Sequence, residues 1–301
     1  MCLTANDPSW RYAVMAQYGL IEAGGTKFVL GIANAAGTIS ASQRIATTTP
    51  DETIGAAIDW FTAQELRATA IGIGSFGPLD LDRSSPSWGQ ITSTPKPGWS
   101  GTDLCAPFVR HFGAPMGIDT DVNGAALAEA KWGAGVGFGS LLYLTIGTGI
   151  GGGFVSDGRL LRGVSHPEMG HIRIPRHPDD ARFAGSCPFH GDCLEGVASG
   201  PAIKARWGIS LSELGPGHPG IAMIGWYLAQ AMVTYMAIME PARIVLGGGV
   251  TGTPGLLEMV RSEAGKAAAG YFVGRPSEVI VGPGLGERSG LMGALALALS
   301  A

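Results

Sequence analysis

Cysteine and histidine residues are concentrated in one stretch of the chain, residues 166–195. Cys187, His190 and Cys193 form the pattern C-x2-H-x2-C, and His171 lies sixteen residues before the first of them. Two thiolates and two imidazoles make a tetrahedral ligand set that suits zinc, and four protein ligands leave no open coordination position. The pattern therefore predicts a structural zinc site that fixes an otherwise irregular loop.

The same stretch holds further side chains that bind metals or hydroxyl groups. His166 and His177, each beside a proline, are alternative zinc ligands, and two free cysteines among scattered histidines are the interpretation without a metal. Glu168 and Glu195 flank the predicted zinc ligands. In a loop that the metal orders, both carboxylates can accept hydrogen bonds from the hydroxyl groups of a ligand.

Two glycine-rich turns follow apolar segments of similar character, about 125 residues apart. Leu20–Ile39 and Leu141–Leu161 each read as a strand, a glycine-rich turn, a second strand and an ordinary turn. Glycine has no Cβ, so backbone N–H groups in such turns can approach anionic oxygens, and threonine hydroxyls add donors. The turns consist of Gly24, Gly25 and Thr26, and of Gly147, Thr148, Gly149 and Gly151–Gly153.

This repetition predicts a duplicated domain core, with two lobes that hold a nucleotide, and not a short-period repeat array. Neither turn matches the pattern GxxxxGK(S/T), which argues against a P-loop NTPase. A chance likeness of two glycine-rich hairpins is the alternative. Lys27 follows the first turn, but on a strand it points opposite Thr26, which favours an ordinary surface role for its charge.

Two carboxylates stand where a strand is expected to end and a helix to begin, at Asp119 and Asp121, followed by Asn123. Asp and Asn at such a junction commonly cap the helix. A carboxylate at the carboxyl edge of an α/β sheet, where ligands bind, can also take the proton from an attacking hydroxyl. Because residues two apart share a face of an extended segment, the spacing does not decide which aspartate would act.

The composition excludes several classes of protein. Charged residues make up 15% of the 301 residues and hydrophobic residues 46%, the opposite of the balance that keeps a chain disordered. The 49 glycines follow no Gly-X-Y period, which excludes a collagen. A net charge of −4 offers no basic field for a nucleic acid. Four cysteines are too few for a disulfide scaffold, and residues 1–18 hold no apolar signal segment, so we expect a cytoplasmic protein.

Strand-like and helix-like segments alternate along the chain, which predicts α/β layers with helices on both sheet faces. The expected helices include 51–66, 104–112, 124–132 and 290–299, and the expected strands include 70–74, 115–118, 243–246 and 279–281. Ile221–Met239 has no charge over nineteen residues and is long enough to span a membrane. Gln230 and Thr234 inside it and the lack of flanking basic clusters favour a buried helix at a domain or subunit interface, without membrane association.

Several motifs together resemble the ROK family (repressors, open reading frames and sugar kinases), specifically its bacterial fructokinase branch. The resemblance runs from about residue 18 to the end of the sequence. The motifs that carry it are EAGGTKF at 22–28, GSFGPL at 74–79, TPKPGW at 94–99, DTDVNG at 119–124, HPEMGH at 166–171 and CPFHGDCLEG at 187–196.

The resemblance implies an α/β, duplicated actin/hexokinase-like (ribonuclease H-like) fold with two lobes and a zinc-bound loop. It implies that ATP and sugar bind in the cleft between the lobes. We expect residues 1–17 to form a loosely ordered extension, residues 18–118 and 290–301 the N-terminal lobe, and residues 119–289 the C-terminal lobe with the zinc-binding loop at 166–195. The family and the uncharged helix together imply a homodimer.

The resemblance also implies ATP-dependent phosphorylation of D-fructose to fructose 6-phosphate, with Mg²⁺ and structural Zn²⁺ as cofactors. It selects Asp121, the Asp of the family's Asp-x-Asn, as the general base. The expected ATP-binding residues are Gly24, Gly25, Thr26, Gly147, Thr148, Gly149, Gly247, Gly248 and Gly249, the last three beside the adenosine. The expected sugar-binding residues are Gly77, Asn123, Glu168, His171 and Glu195, and the expected zinc ligands are His171, Cys187, His190 and Cys193.

Two departures from the wider family favour the fructokinase branch. His190 takes the middle place in a zinc pattern that usually has three cysteines, and Glu22 stands where sugar kinases of the wider family often have Asp. The alternative is a kinase for mannose, glucose or an N-acetylhexosamine. A sugar-responsive repressor is not expected, because only about eighteen residues precede the first turn and they hold no basic cluster. A sugar-binding module without catalysis is disfavoured by the presence of Asp121, Thr26 and Thr148.

Overall fold

The computed structural model describes residues 16–301, so all but the end of the extension expected at 1–17 lies outside the described residues. The chain divides into two compact units. The first runs to Ala128 and includes Glu287–Ala301, and the second is Glu129–Gly286. The sequence suggested boundaries at 118/119 and 289/290. In the structure the division falls inside the helix that begins at Asp121, which starts in the first unit and ends in the second.

Five strands build the sheet of the first unit: β1 (Gln17–Ala23), β2 (Lys27–Ala33), β3 (Ile39–Ala46), β4 (Ala68–Ser75) and β5 (Met116–Thr120). Their order in the sheet is β3-β2-β1-β4-β5. β1 pairs antiparallel with β2 and parallel with β4, and β4 pairs parallel with β5. The carboxyl ends of β1, β4 and β5 therefore lie at one edge of this sheet.

The described helices of the first unit are α1 (Pro50–Ala63), α2 (Ala106–Phe112), α3 (Asp121–Trp132), which continues into the second unit, and the C-terminal helix α9 (Ser289–Ala298). α9 packs directly on the sheet. A Cβ on Gly72 of β4 would lie 1.8 Å from the carbonyl oxygen of Ala294. A glycine in the strand therefore lets the C-terminal helix approach, which explains why the last residues belong to the first unit.

The second unit repeats this sheet. Its strands are β6 (Ser140–Ile146), β7 (Ile150–Ser156), β8 (Arg159–Leu160), β9 (Arg243–Gly247) and β10 (Ile280–Val281). They lie in the order β8-β7-β6-β9-β10, with β6 antiparallel to β7 and parallel to β9, and β9 parallel to β10. Order and direction match the first unit strand for strand, so the predicted duplicated α/β fold is confirmed.

The described helices of the second unit are α4 (Leu194–Ala198), α5 (Gly200–Trp207), α6 (Pro219–Met239), α7 (Leu256–Ala268) and α8 (Pro276–Val279). Within residues 16–301, α6 is the one helix that is long and apolar enough to cross a membrane, and 50% of its most apolar window is buried. Ile224, Tyr227 and Leu228 of α6 are fully buried in the core of this unit. This burial agrees with the predicted buried helix.

Candidate active site and metal centre

Three segments of the first unit lie at the carboxyl edge of its sheet. The turn at Gly24 follows β1, the loop at Gly77 follows β4, and Asp121 follows β5. The Phe76 N–H donates to the carbonyl of Ala23 at 2.9 Å and so ties the loop to the turn. Since neighbouring strands lie about 4.8 Å apart, the ends of β1 and β5 are about 10 Å apart. The parallel strand order thus brings these distant stretches of sequence together.

The two aspartates that the sequence left as alternatives have different surroundings. Asp119 is fully buried, and its Oδ1 accepts hydrogen bonds from the Thr120 N–H at 2.8 Å and from Nδ2 of Asn123 at 2.7 Å. Asp121 is only partly buried, and its Oδ1 accepts a hydrogen bond from the Val122 N–H at 2.9 Å. Asp119 positions Asn123 inside the core, whereas Asp121 has the exposure that a proton acceptor needs.

The surroundings of Asp121 make it more basic than an ordinary aspartate. Desolvation by burial raises the pKa of Asp121 to about 6, the Val122 N–H opposes this shift, and the negative charge of Glu22 adds to it. Burial also raises the pKa of Glu22, and Lys27 and Arg44 oppose that shift. A carboxylate with a pKa near 6 is ionised at neutral pH and still basic enough to accept a proton during a reaction.

The first glycine turn, Gly24–Thr26, is tightly braced. The Gly24 N–H donates to the carbonyl of Lys27 at 3.0 Å, and a Cβ on Gly24 would lie 2.7 Å from that oxygen. Thr47 Oγ1 donates to the Gly24 carbonyl at 2.7 Å. The N–H groups of Gly25 and Thr26 make no hydrogen bond within residues 16–301. These two N–H groups, and not that of Gly24, are therefore the donors that an anionic ligand can use.

Lys96 brings a positive charge to the first turn. Its Nζ donates to the carbonyl of Gly25, and Pro95 and Pro97 restrict the backbone on both sides of it. Within the described part of the chain, Lys96 takes part in no ion pair with a carboxylate. An ammonium group that is held at a glycine turn and has no counter-ion among the described residues suits an anionic ligand.

The second glycine turn, Gly147–Gly149, is braced in the same manner by other partners. The Gly147 N–H donates to the carbonyl of Gly149 at 2.9 Å, and the Gly147 carbonyl accepts from the Gly200 N–H at 2.7 Å. Gly200 is the first residue of α5, so the turn is joined to a helix of its own unit. The N–H groups of Thr148 and Gly149 have no hydrogen-bond partner among the described residues. Like those of the first turn, they can donate to an anionic ligand.

A cavity of about 440 Å³ opens beside the second turn. It is lined by Gly147, Thr148, Gly200, Pro201, Ile203, Lys204, Ser210, Leu211, Ser212, Gly249, Val250 and Thr253. Thr253 is 4% exposed, and its Oγ1 has no hydrogen-bond partner within residues 16–301. A buried hydroxyl without a partner costs about 1–3 kcal/mol, which a bound ligand can offset. The volume and the mainly apolar lining, with a few polar groups such as Thr253 Oγ1, suit an organic ligand of the size of a nucleoside.

The glycines after β9 border this cavity. Gly248 adopts a φ of 92°, and a Cβ there would lie 2.4 Å from the carbonyl oxygen of Ile146. Gly249 lines the cavity, while Gly247 and Gly248 are not among its lining residues. The turn expected beside the adenosine thus lies next to the cavity, with Gly249 as its point of contact.

The predicted zinc ligands come together in the second unit. The ligand atoms of His171, Cys187, His190 and Cys193 all lie within 4.8 Å of one another. His171 Nδ1 is 3.7 Å from Sγ of Cys187 and 3.5 Å from Sγ of Cys193, and His190 Nδ1 is 3.8 Å from Sγ of Cys187. Tetrahedral zinc with ordinary bond lengths separates a nitrogen from a sulfur ligand by about 3.6 Å. The donor set and its spacing therefore fit zinc.

Neither alternative ligand belongs to this cluster. His166 Nδ1 lies 3.5 Å from Oε1 of Glu168. His177 packs its ring against Trp226 with 5.2 Å between centroids, and its Nδ1 accepts from the Asp179 N–H at 3.2 Å. His177 therefore has a structural role at the start of a short turn.

The expected sugar-binding glutamates of this unit have different environments. Glu168 has a side chain that is 53% exposed, and its carbonyl accepts from the His171 N–H at 3.0 Å. Glu195 follows the ligand Cys193 closely, and its Oε2 accepts from the Ile150 N–H at 2.9 Å. One oxygen of Glu195 is thus used to connect the metal cluster to the second glycine turn.

A buried ion pair anchors the loop that carries the metal ligands. Asp180 accepts from Nη2 of Arg206 at 2.8 Å and from the hydroxyl of Tyr227 at 2.7 Å, and the side chains of Asp180 and Arg206 are each 5% exposed. The guanidinium of Arg206 lies 3.9 Å from the ring centroid of Phe183. The loop is therefore attached to α5 and α6 independently of the metal cluster.

Two residues with polar groups at these sites, Lys96 and Thr253, had no role in the sequence interpretation. Lys96 lies within the motif TPKPGW, but the sequence alone does not show that its side chain reaches the first glycine turn. Nothing in the sequence distinguishes Thr253 from other threonines. Burial without a partner is a property of the folded chain alone.

Comparison with known proteins identifies the family and the fold. The model of the ROK family matches residues 18–301. A fructokinase from Zymomonas mobilis is 50% identical over 291 residues, which cover 94% of this chain and 97% of the relative. The crystal structure of a ROK hexokinase from Thermus thermophilus superposes with a TM-score of 0.76 at 27% identity, covering 94% of this chain and 98% of that one. A ROK family glucokinase from Streptomyces griseus, in complex with glucose and AMPPNP, gives a TM-score of 0.74 at 25% identity, covering 95% and 100%.

The chain belongs to the ROK family. Within that family it groups with the fructokinases, as its sequence motifs indicated, since 50% identity to a fructokinase far exceeds the 25% identity to the glucokinase.

Proposed function

We propose that this chain is a kinase that transfers the γ-phosphoryl group of ATP, bound with Mg²⁺, to the 6-hydroxyl of D-fructose. The observation that carries the proposal is the position of Asp121, partly exposed and with a raised pKa, at the same sheet edge as a glycine turn with free N–H donors. The fructokinase relative supports fructose as the acceptor, and the AMPPNP complex of the glucokinase supports ATP as the donor.

The proposed reaction is an in-line displacement at phosphorus. The oxygen of the 6-hydroxyl forms a bond to the γ-phosphorus while the bond from that phosphorus to the β,γ-bridging oxygen breaks, and ADP leaves with that electron pair. The proton of the hydroxyl passes to the Asp121 carboxylate. The N–H groups of Gly25 and Thr26 and the ammonium of Lys96 balance the negative charge of the phosphoryl oxygens.

The second unit is proposed to bind the rest of the nucleotide. The N–H groups of Thr148 and Gly149 bind phosphate oxygens, and the adenosine occupies the neighbouring cavity beside Gly249. A hydrogen bond from or to the nucleoside would satisfy Thr253 Oγ1. We place the transferred phosphate at the first turn because that turn and Asp121 lie at the same sheet edge. The base and the reacting phosphorus must both lie near the attacking hydroxyl.

The proposed sugar ligands are Gly77, Asn123, Glu168, His171 and Glu195. Asn123 is 1% exposed, its Nδ2 is taken by Asp119, and its Oδ1 has no partner among the described residues, so a sugar hydroxyl can donate to it. Since Nδ1 of His171 faces the cysteines, its Nε2 remains for the sugar. The second oxygen of Glu195, which does not take part in the bond to Ile150, and the exposed carboxylate of Glu168 are further acceptors.

We also propose that the metal cluster holds a structural zinc ion. Zinc would keep Cys187 and Cys193 as thiolates and fix the positions of His171 and, through Cys193, of Glu195. The Cys187→Ser variant should lose about one equivalent of zinc per chain and unfold at a lower temperature. Metal analysis and thermal unfolding test this, with Cys105→Ser as the control for a buried cysteine outside the cluster. A fully stable, active, zinc-free protein would contradict it.

The proposal further includes a cytoplasmic homodimer, on the basis of the family and of the long apolar helix α6. Ile238 near the end of α6 is 74% exposed, as expected of a side chain that a second subunit covers. Light scattering after size exclusion should give twice the monomer mass of 30.9 kDa.

The test of the proposed function is ADP release by the purified protein with ATP and a panel of hexoses. We expect the highest kcat/KM with D-fructose and a product phosphorylated at the 6-position, identified by ³¹P and ¹³C NMR. Higher kcat/KM with mannose, glucose or an N-acetylhexosamine would replace fructose with that sugar and leave the kinase assignment in place. ADP release that does not depend on any sugar would reject the assignment.

A further inference from the structure

Three buried side-chain polar atoms have no hydrogen-bond partner in the described part of the chain: Asn123 Oδ1, His166 Nε2 and Thr253 Oγ1. Buried polar atoms in folded proteins are nearly always satisfied, so each of these needs an explanation. The proposed function explains the first by a sugar hydroxyl and the third by the nucleoside. His166 has no part in that function, and it is not a member of the metal cluster.

The environment of His166 fixes which of its nitrogens is free. Its side chain is 8% exposed, and its Nδ1 lies 3.5 Å from Oε1 of Glu168, whose side chain is 53% exposed. A carboxylate beside Nδ1 favours the tautomer with the proton on Nδ1. The other nitrogen, Nε2, is then an acceptor that is buried in the protein and has no donor within residues 16–301.

A proline and two hydrogen bonds restrain the backbone from His166 onward. Pro167 restricts the chain between His166 and Glu168. The Glu168 carbonyl accepts from the N–H of His171, a residue of the metal cluster, and the carbonyl of the next residue, Met169, accepts from the Tyr235 hydroxyl at 2.6 Å. These contacts restrain the positions from which the imidazole and the carboxylate extend, as recognition of a ligand requires.

We propose that His166 is a specificity-determining residue for the acceptor sugar: its Nε2 accepts a hydrogen bond from one sugar hydroxyl, next to the hydroxyl that Glu168 binds. The inference rests on the proposed function, because it takes Glu168 as a sugar ligand. A site built to hydrogen-bond a hydroxyl discriminates strongly against sugars in which that hydroxyl is missing or differently oriented, because the buried acceptor is then left unsatisfied.

The variant that tests this is His166→Phe, which keeps a planar ring and removes the acceptor. We expect kcat/KM for fructose to fall about tenfold, from loss of one hydrogen bond, with KM for ATP and zinc content unchanged. His166→Gln retains an acceptor and should recover activity to within about threefold of the wild type. His177→Phe is the matched control, since His177 also precedes a proline in the same loop but contacts Trp226 and not Glu168.

Deoxy sugars identify the hydroxyl and separate recognition from a general structural effect. Wild-type protein and His166→Phe are compared on fructose and on its 1-, 3- and 4-deoxy analogues. The inference predicts that one analogue loses at least fivefold in kcat/KM with the wild type and less than twofold with His166→Phe. Equal losses for every analogue in both proteins would overturn it, as would unchanged kcat/KM for fructose in His166→Phe.

Failure of the inference and failure of the proposed function give different results. A wild-type protein that phosphorylates fructose while His166→Phe behaves like it rejects the role of His166 alone. A wild-type protein that does not phosphorylate fructose rejects the proposed function first, and the deoxy series is then made from the hexose that the panel identifies. If His166→Phe lowers the zinc content or the unfolding temperature, and if neither the His166→Gln variant nor added sugar restores the wild-type value, then His166 stabilises the fold and does not recognise the sugar.

Discussion

The two glycine turns are the same hairpin in two settings. Each joins the first two strands of a sheet with the same strand order, and each uses the N–H of its first glycine to close the turn. The first turn is accompanied by Lys96 and by Asp121, a carboxylate with a pKa of about 6. The second is accompanied by a cavity of about 440 Å³ and by a Cys/His cluster joined to it through Glu195.

The difference shows how duplication can divide a task. The shared hairpin supplies backbone donors, which bind any phosphate, and the chemistry depends on what each copy places beside them. On the proposed function, the charged first turn serves the transferred phosphoryl group and the second turn serves the nucleoside end. Changes beside the first turn should therefore lower kcat, and changes beside the second should alter KM for ATP.

The largest effect is expected beside the first turn, at Asp121. Asp121→Asn keeps the shape but not the basicity, so kcat should fall by about 10²–10⁴-fold, the range of general-base catalysis. The free energy of unfolding should not decrease, because an ionised carboxylate that burial disfavours is replaced by a neutral amide. Steady-state kinetic assays measure kcat, and thermal unfolding at pH 8 and calorimetry of ADP binding show whether the fold and the nucleotide site are intact. Activity within a few-fold of the wild type would remove Asp121 as the base.

The next effect is expected at Lys96, on the same turn. Lys96→Met removes a positive charge beside the proposed phosphoryl group, and kcat should fall by about 10–100-fold with little change in KM for fructose. Lys27→Met is the matched control, since it removes the same charge directly after the same turn, and it should stay within about threefold. If both variants lose activity equally, the effect is one of net charge and not of the position of Lys96.

The pH dependence follows from the raised pKa of Asp121. The base must be ionised in the free enzyme, so kcat/KM for fructose should be constant above pH 7 and should decrease as the pH falls through about 6. At pH 5 the loss should be about tenfold, because one pH unit below the pKa leaves about a tenth of the carboxylate ionised. If kcat/KM of the wild type instead decreases only near pH 4, then Asp121 titrates as an ordinary aspartate.

The smallest effect is expected beside the second turn. Thr253→Val removes the hydroxyl without changing the shape of the side chain, and KM for ATP should rise about 3–10-fold while kcat and KM for fructose stay the same. Thr234→Val is the control, since that hydroxyl is bonded to the carbonyl of Gln230 within α6. A change in kcat equal to that of Lys96→Met would mean that the two turns do not divide the task as proposed.

The sequence allowed most of the architecture to be predicted, and the reasons are local. Apolar runs and glycine turns indicated both hairpins, and their similarity indicated the duplication that the two matching sheets confirm. Boundaries were less accurate. The helix expected at 51–66 ends at Ala63, where the chain turns and Glu65 adopts a left-handed φ of 51°, and the division between units falls inside α3. Such ends depend on tertiary packing, which overrides local propensity.

The candidate site was predictable where a residue's type limits its role and not where position decides it. Cysteines and histidines at that spacing have few uses, and the four predicted zinc ligands do lie within 4.8 Å of one another. A lysine, a threonine and a histidine have many uses, so Lys96, Thr253 and His166 stand out only by their neighbours. The spacing alone left Asp119 and Asp121 as equals and the family motif selected Asp121, whereas only the structure shows that Asp119 is the fully buried one of the two.

What the sequence determined by itself was most of the strands and helices, the glycine turns, the metal-ligand types and, through its motifs, the ROK family. What only the tertiary structure decided was which N–H groups remain free, which aspartate is locked to Asn123, and which buried polar atoms have no partner. The physical reason is that hydrogen-bond satisfaction and desolvation are properties of a group's surroundings, and residues far apart in the chain create those surroundings.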